Sequence, residues 1–183
     1  MTNLKKIEEY AEKCYADANC TYGDGSYMIH IHMVNDFLVR HVSVFKNTKD
    51  ATNTMGAADC HDLIEDAKQT YNNIYDASNK DIADIVLSVT DVPAQNRLMK
   101  HLLTMGKTVQ DYRVIILKMA DIWANDTFSK TNKSSMYGKY VAEYPYRKTI
   151  FQMALKWYKN VLDQDELDKM WNELDNVHGI FHI

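Results

Sequence analysis

The sequence predicts an all-α protein, folded as a single-domain helical bundle over residues 1–183. Three observations predict it. Helix breakers are scarce, with 6 glycines and 2 prolines in the chain. Apolar residues recur with the 3.6-residue period of a helix rather than in the alternation of a strand. A length of 183 residues, 46% of them apolar, suits one sizeable core and leaves too little for two.

The elements follow in order. Leu4, Ile7, Tyr10, Ala11 and Cys14 form a first helical stripe, and Thr21 to Ser26, with two glycines, reads as a turn. The spacing predicts a long helix from about Ile29 to Phe45, with Val34, Phe37, Leu38, His41, Val42 and Phe45 on one face. Thr52 or Asn53 is the expected cap of the next helix, whose Ala57, Ala58 and Cys60 call for burial. A short helix is expected around Tyr71 to Tyr75, a stripe follows at Ile82, Ile85, Val86 and Val89, and Pro93 opens another helix to about Met105. Val114 to Leu117 is apolar on all sides, and its continuation through Ala124 favours a buried helix over a strand. Phe128 to Ser135 reads as a loop. Helices from about Met136 to Leu162, irregular at Pro145, and from about Glu166 to Val177 complete the bundle.

Net charge is −4 without long single-sign blocks, which argues against nucleic acid or an anionic membrane as a partner. The 3 cysteines, Cys14, Cys20 and Cys60, show no CxxC spacing and suggest no disulfide framework. The polar stretch from Met1 to Tyr10 lacks a signal-peptide core, and no apolar run reaches membrane-spanning length. The expectation is a reduced, cytoplasmic, soluble domain. Oligomeric state is left open.

The chemistry concentrates at His61-Asp62-Leu63-Ile64-Glu65-Asp66. At helical spacing, His61 and Glu65 are i,i+4, as are Asp62 and Asp66, which gathers these groups on roughly one side. Adjacent His61 and Asp62 diverge by ~100° on a helix, so a shared ion needs further ligands from other helices. Two positions can supply them. His30 follows the glycine turn at the start of the long helix, and Asp121 lies on the most apolar helix. A carboxylate there is costly to bury alone, and a cation is an effective partner.

The order His … His-Asp … Asp resembles the HD superfamily of metal-dependent phosphohydrolases. More narrowly, His61 to Asp66 resembles the HDxxED motif of (p)ppGpp hydrolases, the Rel/Spo hydrolase domain and the small Mesh-type enzymes. Tyr27-Met28-Ile29-His30 is similar to that family's YxxH, with Ile31 where a proline is usual. Ala57 to His61 resembles AALLH, and Val89-Thr90 its VT pair. Arg113 to Asp121 with Asn125 parallels RVxxxKLADxxxN. The matches run in family order over about residues 20–127.

The resemblance implies that His30, His61, Asp62 and Asp121 hold a divalent metal, usually manganese. It implies that Glu65 and Asp66 position and activate the attacking water. Asn125 corresponds to the asparagine that contacts the nucleotide's sugar region, Lys118 to the lysine of KLAD, and Tyr144 to a substrate-binding tyrosine of a late helix. Arg97, Lys100 and Arg147 are candidates, on chemistry and location, to balance phosphate charge. The basic residue that the family carries in the turn before YxxH is absent from Thr21-Tyr22-Gly23-Asp24, where Tyr22 is available to stack on a base. The substrate expected is therefore a nucleotide: the leading reading is a (p)ppGpp 3′-pyrophosphohydrolase. The alternatives are the same centre acting on NADPH, a dNTP or another nucleotide signal, or a non-catalytic nucleotide-binding module of the HD fold.

Overall fold

The computed structural model describes residues 2–180. Nine α-helices follow one another among those residues: α1 (Leu4–Asp17), α2 (Met28–Arg40), α3 (Thr48–Cys60), α4 (Tyr71–Ala77), α5 (Lys80–Val89), α6 (Arg97–Thr108), α7 (Tyr112–Thr131), α8 (Met136–Leu155) and α9 (Gln164–Val177). The expected turn is a small antiparallel hairpin of β1 (Thr21–Tyr22) and β2 (Gly25–Ser26), in register Thr21 with Ser26. Gly23 sits in its bend at φ 60°, in the left-handed region that glycine adopts without strain. No described helix is long and apolar enough to cross a membrane.

Helix α7 is the axis of the bundle. It packs against α2, α3, α5, α6, α8 and α9. That explains why Val114, Ile115, Ile116 and Leu117 are apolar on every side: all are fully buried. The small residues of α3 serve close packing. A Cβ on Gly56 would stand 2.7 Å from Ile82 Cδ1 of α5, so the two helices approach where there is no side chain. Burial of this layer is the main source of stability, at ~1.5–3 kcal/mol for each large apolar side chain.

Several boundaries differ from the expectation, each for a physical reason. Helix α2 stops at Arg40, and Val42–Val44 forms a single 3-10 turn. His41 is held there from outside the helix, with Nδ1 2.7 Å from Glu166 and Nε2 2.8 Å from Glu173 of α9. Helix α3 is capped by Asn47, whose side chain accepts from Lys49 N–H, and not by Thr52 or Asn53. Asn53 lies inside the helix, buried, and donates to Asp81 at 3.1 Å.

Helix α6 starts at Arg97 with Asn96 as its cap, leaving Pro93 in an irregular connection. It turns His101, Thr104 and Thr108 inward while Leu98, Met99, Leu102 and Leu103 face solvent. Helix α7 runs on to Thr131 and absorbs Phe128, which packs on Tyr22 of the hairpin at 4.2 Å between ring centroids. Pro145 lies within α8, which ends at Leu155 before a 3-10 turn over Lys156–Tyr158.

Candidate metal centre and cleft

Three elements converge on one point. His30 comes from the first turn of α2, Asp121 from the middle of α7, and His61-Asp62 from the two residues that follow α3. Beyond Cys60 the chain continues in irregular turns to Ala67, with Asp66 N–H donating to the Asp62 carbonyl at 2.8 Å.

The donor atoms sit in a tight group. Asp62 Oδ2 is 3.0 Å from His61 Nε2 and 3.5 Å from His30 Nε2. Asp121 Oδ1 is 3.3 Å from His30 Nε2 and 3.7 Å from His61 Nε2. The two imidazole nitrogens face each other at 3.2 Å. Atoms ~2.0–2.2 Å from a shared ion stand ~3.0–3.5 Å apart, so the spacing of His30, His61 and Asp62 suits ligands of a single cation, with Asp121 at the border of the group. His61 Nδ1–H donates to the Ala58 carbonyl at 2.8 Å, which leaves Nε2 with its lone pair toward the centre in the neutral ring. Nitrogen and carboxylate donors in equal number fit a borderline divalent ion.

Electrostatics supports the same reading. Burial disfavours charge on His61 and His30, yet Asp62 and Asp121 outweigh it and raise both pKa values. Burial likewise opposes charge on the two aspartates, but His61 and, for Asp121, Lys118 hold their carboxyls well below the usual range. Lys118 Nζ lies 2.8 Å from Asp121 Oδ2. Two aspartates thus draw protons onto buried imidazoles, and a divalent cation can take the place of those protons.

The acidic pair beside the centre diverges. Glu65 Oε1 accepts from the backbone N–H of Asp91, in the connection between α5 and α6, at 2.7 Å. Although much of the Glu65 side chain meets solvent, enclosure of its carboxyl by protein raises its pKa, which suits a proton acceptor. Asp66 turns the other way, and its Oδ2 accepts from Tyr27 Oη–H at 2.7 Å.

Next to Asp121 opens a cleft of about 120 Å³, lined by Lys118, Asn125, Tyr140, Arg147, Arg97 and His101 among others. Asn125 donates through Nδ2 to Asp121 Oδ1 at 2.6 Å and accepts from Tyr22 Oη–H at 3.2 Å. Arg147 donates to Glu143 at 2.7 Å and to His101 Nε2 at 2.9 Å. Burial, then Arg147, pushes the His101 pKa down to about 4, so the ring is the neutral acceptor that this bond requires. Arg97 pairs with Glu143, and Lys100 with Asp91.

Tyr144 lies away from the cleft. It is buried, stacks on His178 at 3.9 Å and donates to Asp175 at 2.7 Å. The helix α8 tyrosine that lines the cleft is Tyr140, one turn earlier. Two groups near the site are not among the sequence expectations for it: His101 of α6, which lines the cleft, and Tyr27, which the sequence offers only within the YxxH-like motif. A signal for His101 exists in α6, where the inward face is its polar one.

No protein-family model and no curated protein matches this chain. Among solved structures, the fold is similar to that of a metazoan ortholog of SpoT that hydrolyzes ppGpp and plays a role in starvation responses. The TM-score is 0.69 at 15% identity, over 97% of this chain and 96% of that one. What the two share at that identity is the all-α fold.

Proposed function

We propose that this protein is a divalent-metal-dependent pyrophosphohydrolase that removes the 3′-pyrophosphate from guanosine tetra- or pentaphosphate alarmones, with manganese as the leading cation. The observation that carries the reading is the convergence of His30, His61 and Asp62, with Asp121 3.3 Å from His30 at the edge of a cleft that also presents Lys118 and Arg147. A cation held there supplies a more acidic water and neutralises phosphoryl charge.

The chain's own groups do the rest. Lys118 and Arg147 meet the phosphates, and Asn125 meets the sugar region. Glu65 or Asp66 orients the attacking water and accepts its proton. Water oxygen bonds to the phosphorus that carries the ribose 3′ oxygen, that P–O bond breaks, and the 3′ oxygen takes up a proton. Pyrophosphate and GDP or GTP leave.

A second substrate reading, another nucleotide at the same centre, is favoured by one feature. The hairpin from Thr21 to Ser26 carries no lysine or arginine, and its Tyr22 is occupied against His30 and Phe128 at 4.9 and 4.2 Å. Incubation with Mn²⁺ and a panel of ppGpp, pppGpp, NADPH and dNTPs separates the readings by product. Pyrophosphate with GDP from ppGpp supports the proposal. Turnover of another member alone selects the second reading, and turnover of none favours a nucleotide-binding module. Asp62→Ala should abolish the turnover while the protein stays helical.

A further inference from the structure

Tyr27 ends the hairpin and immediately precedes α2, three residues before His30, so both side chains lie on one face. Its hydroxyl is 2.6 Å from Asp62 Oδ2 and 2.7 Å from Asp66 Oδ2. Asp62 Oδ2 is the same oxygen that faces His61 and His30. A phenol has one proton, and here two carboxylate oxygens from different turns compete for it. The ring itself is not free to drift. It stacks on buried Tyr15 of α1 at 4.7 Å and meets His30 edge-on at 5.6 Å.

We infer that Tyr27 is a positioning residue that ties the metal-ligand carboxylate of Asp62 to the carboxylate of Asp66 through its single hydroxyl, and so holds Asp66 beside Asp62. The inference rests on the metal-centre reading above. Glu65 is anchored separately, to Asp91 N–H. Asp66 belongs to an exposed turn, and Tyr27 is the side chain that holds its carboxylate near Asp62. Without the hydroxyl, two carboxylate oxygens would face each other with no proton between them. Like charges in that position repel, and Asp66 is the one with room to swing outward.

Tyr27→Phe tests this, because phenylalanine keeps the stack on Tyr15 and removes only the hydroxyl. Calorimetric titration with Mn²⁺ should show about tenfold weaker binding, as is usual on loss of a hydrogen bond to a ligand. At saturating Mn²⁺, kcat for ppGpp should fall about 10- to 100-fold with KM changed less than about threefold, because the phosphate-binding side of the cleft is untouched. In an Asp66→Asn background the same substitution should change kcat by less than about threefold, since its target is already neutral. A mere packing role would give additive losses and a lower melting temperature instead. Wild-type Mn²⁺ affinity and kcat in Tyr27→Phe, or an undiminished effect in Asp66→Asn, would overturn the inference while leaving the metal-centre reading intact. Wild-type protein that takes up no Mn²⁺ would remove both.

Discussion

Asp121→Asn removes one negative charge from the centre and almost nothing else. In the native protein Asp121 Oδ1 lies 3.3 Å from His30 Nε2, and Oδ2 lies 2.8 Å from Lys118 Nζ. The amide keeps the shape but offers a neutral oxygen to a cation, and it leaves the Lys118 ammonium without its neutralising partner. Two unit charges ~4 Å apart interact by ~4 kcal/mol at the effective dielectric of ~20 that describes protein sites. A divalent ion beside a carboxylate ligand is closer and carries twice the charge, while water entry and rearrangement return part of the difference. A loss of ~3–4 kcal/mol is the working figure, equivalent to a Kd raised by ~10²–10³ at ~1.4 kcal/mol per decade. Calorimetric titration with Mn²⁺ reads it, with circular dichroism confirming that the helices persist. An Asp121→Asn protein binding Mn²⁺ within tenfold of wild type would show that Asp121 is not a ligand.

Four further outcomes follow from particular contacts. His30 and His61 carry raised pKa values in the metal-free protein, so their protons must leave before a cation binds, and apparent Mn²⁺ affinity should increase as pH rises above about 6.5. The same shifts stabilise the metal-free fold below the free-imidazole pKa. That stability fades as pH climbs through the raised values, so melting temperature without metal should decline on that limb and recover with Mn²⁺; affinity and melting temperature flat with pH would contradict both. Leu117→Ala, in the fully buried layer of α7, should cost ~2–5 kcal/mol and lower the melting temperature by about 5–20 °C in calorimetry. Tyr144→Phe removes one bond to Asp175, which keeps Lys148, and should cost ~1.5–3 kcal/mol of stability by chemical denaturation with kcat/KM unchanged. A large kinetic loss there would return Tyr144 to the substrate site.

The elements that could be read from the sequence are those whose signal is local. Val114 to Leu117, apolar on every side, is told from a strand by its helical continuation to Ala124, and α7 is the axis of the bundle. His61-Asp62 has ligand chemistry in adjacent residues, and a carboxylate on α7 invites a cation; the four donors do come together. What escaped were residues whose role is set by distant partners. Asn53 looks like a cap but is spent on Asp81, so α3 begins earlier at Asn47. Pro93 looks like a helix start, but the irregular segment before Asn96 presents Asp91 N–H to Glu65. Tyr144 and Tyr140 are one turn apart on α8, and only tertiary packing decides that the first meets His178 and the second the cleft. Tyr27 shows its meaning only once Asp62 and Asp66 are placed around its hydroxyl.

Crystals grown with Mn²⁺ and measured at the manganese absorption edge test the central claim most directly. One strong anomalous peak within ~2.0–2.4 Å of His30 Nε2, His61 Nε2, Asp62 and Asp121 is the predicted result. Manganese density confined to surface carboxylates, with these four side chains bonded only to one another, would contradict it.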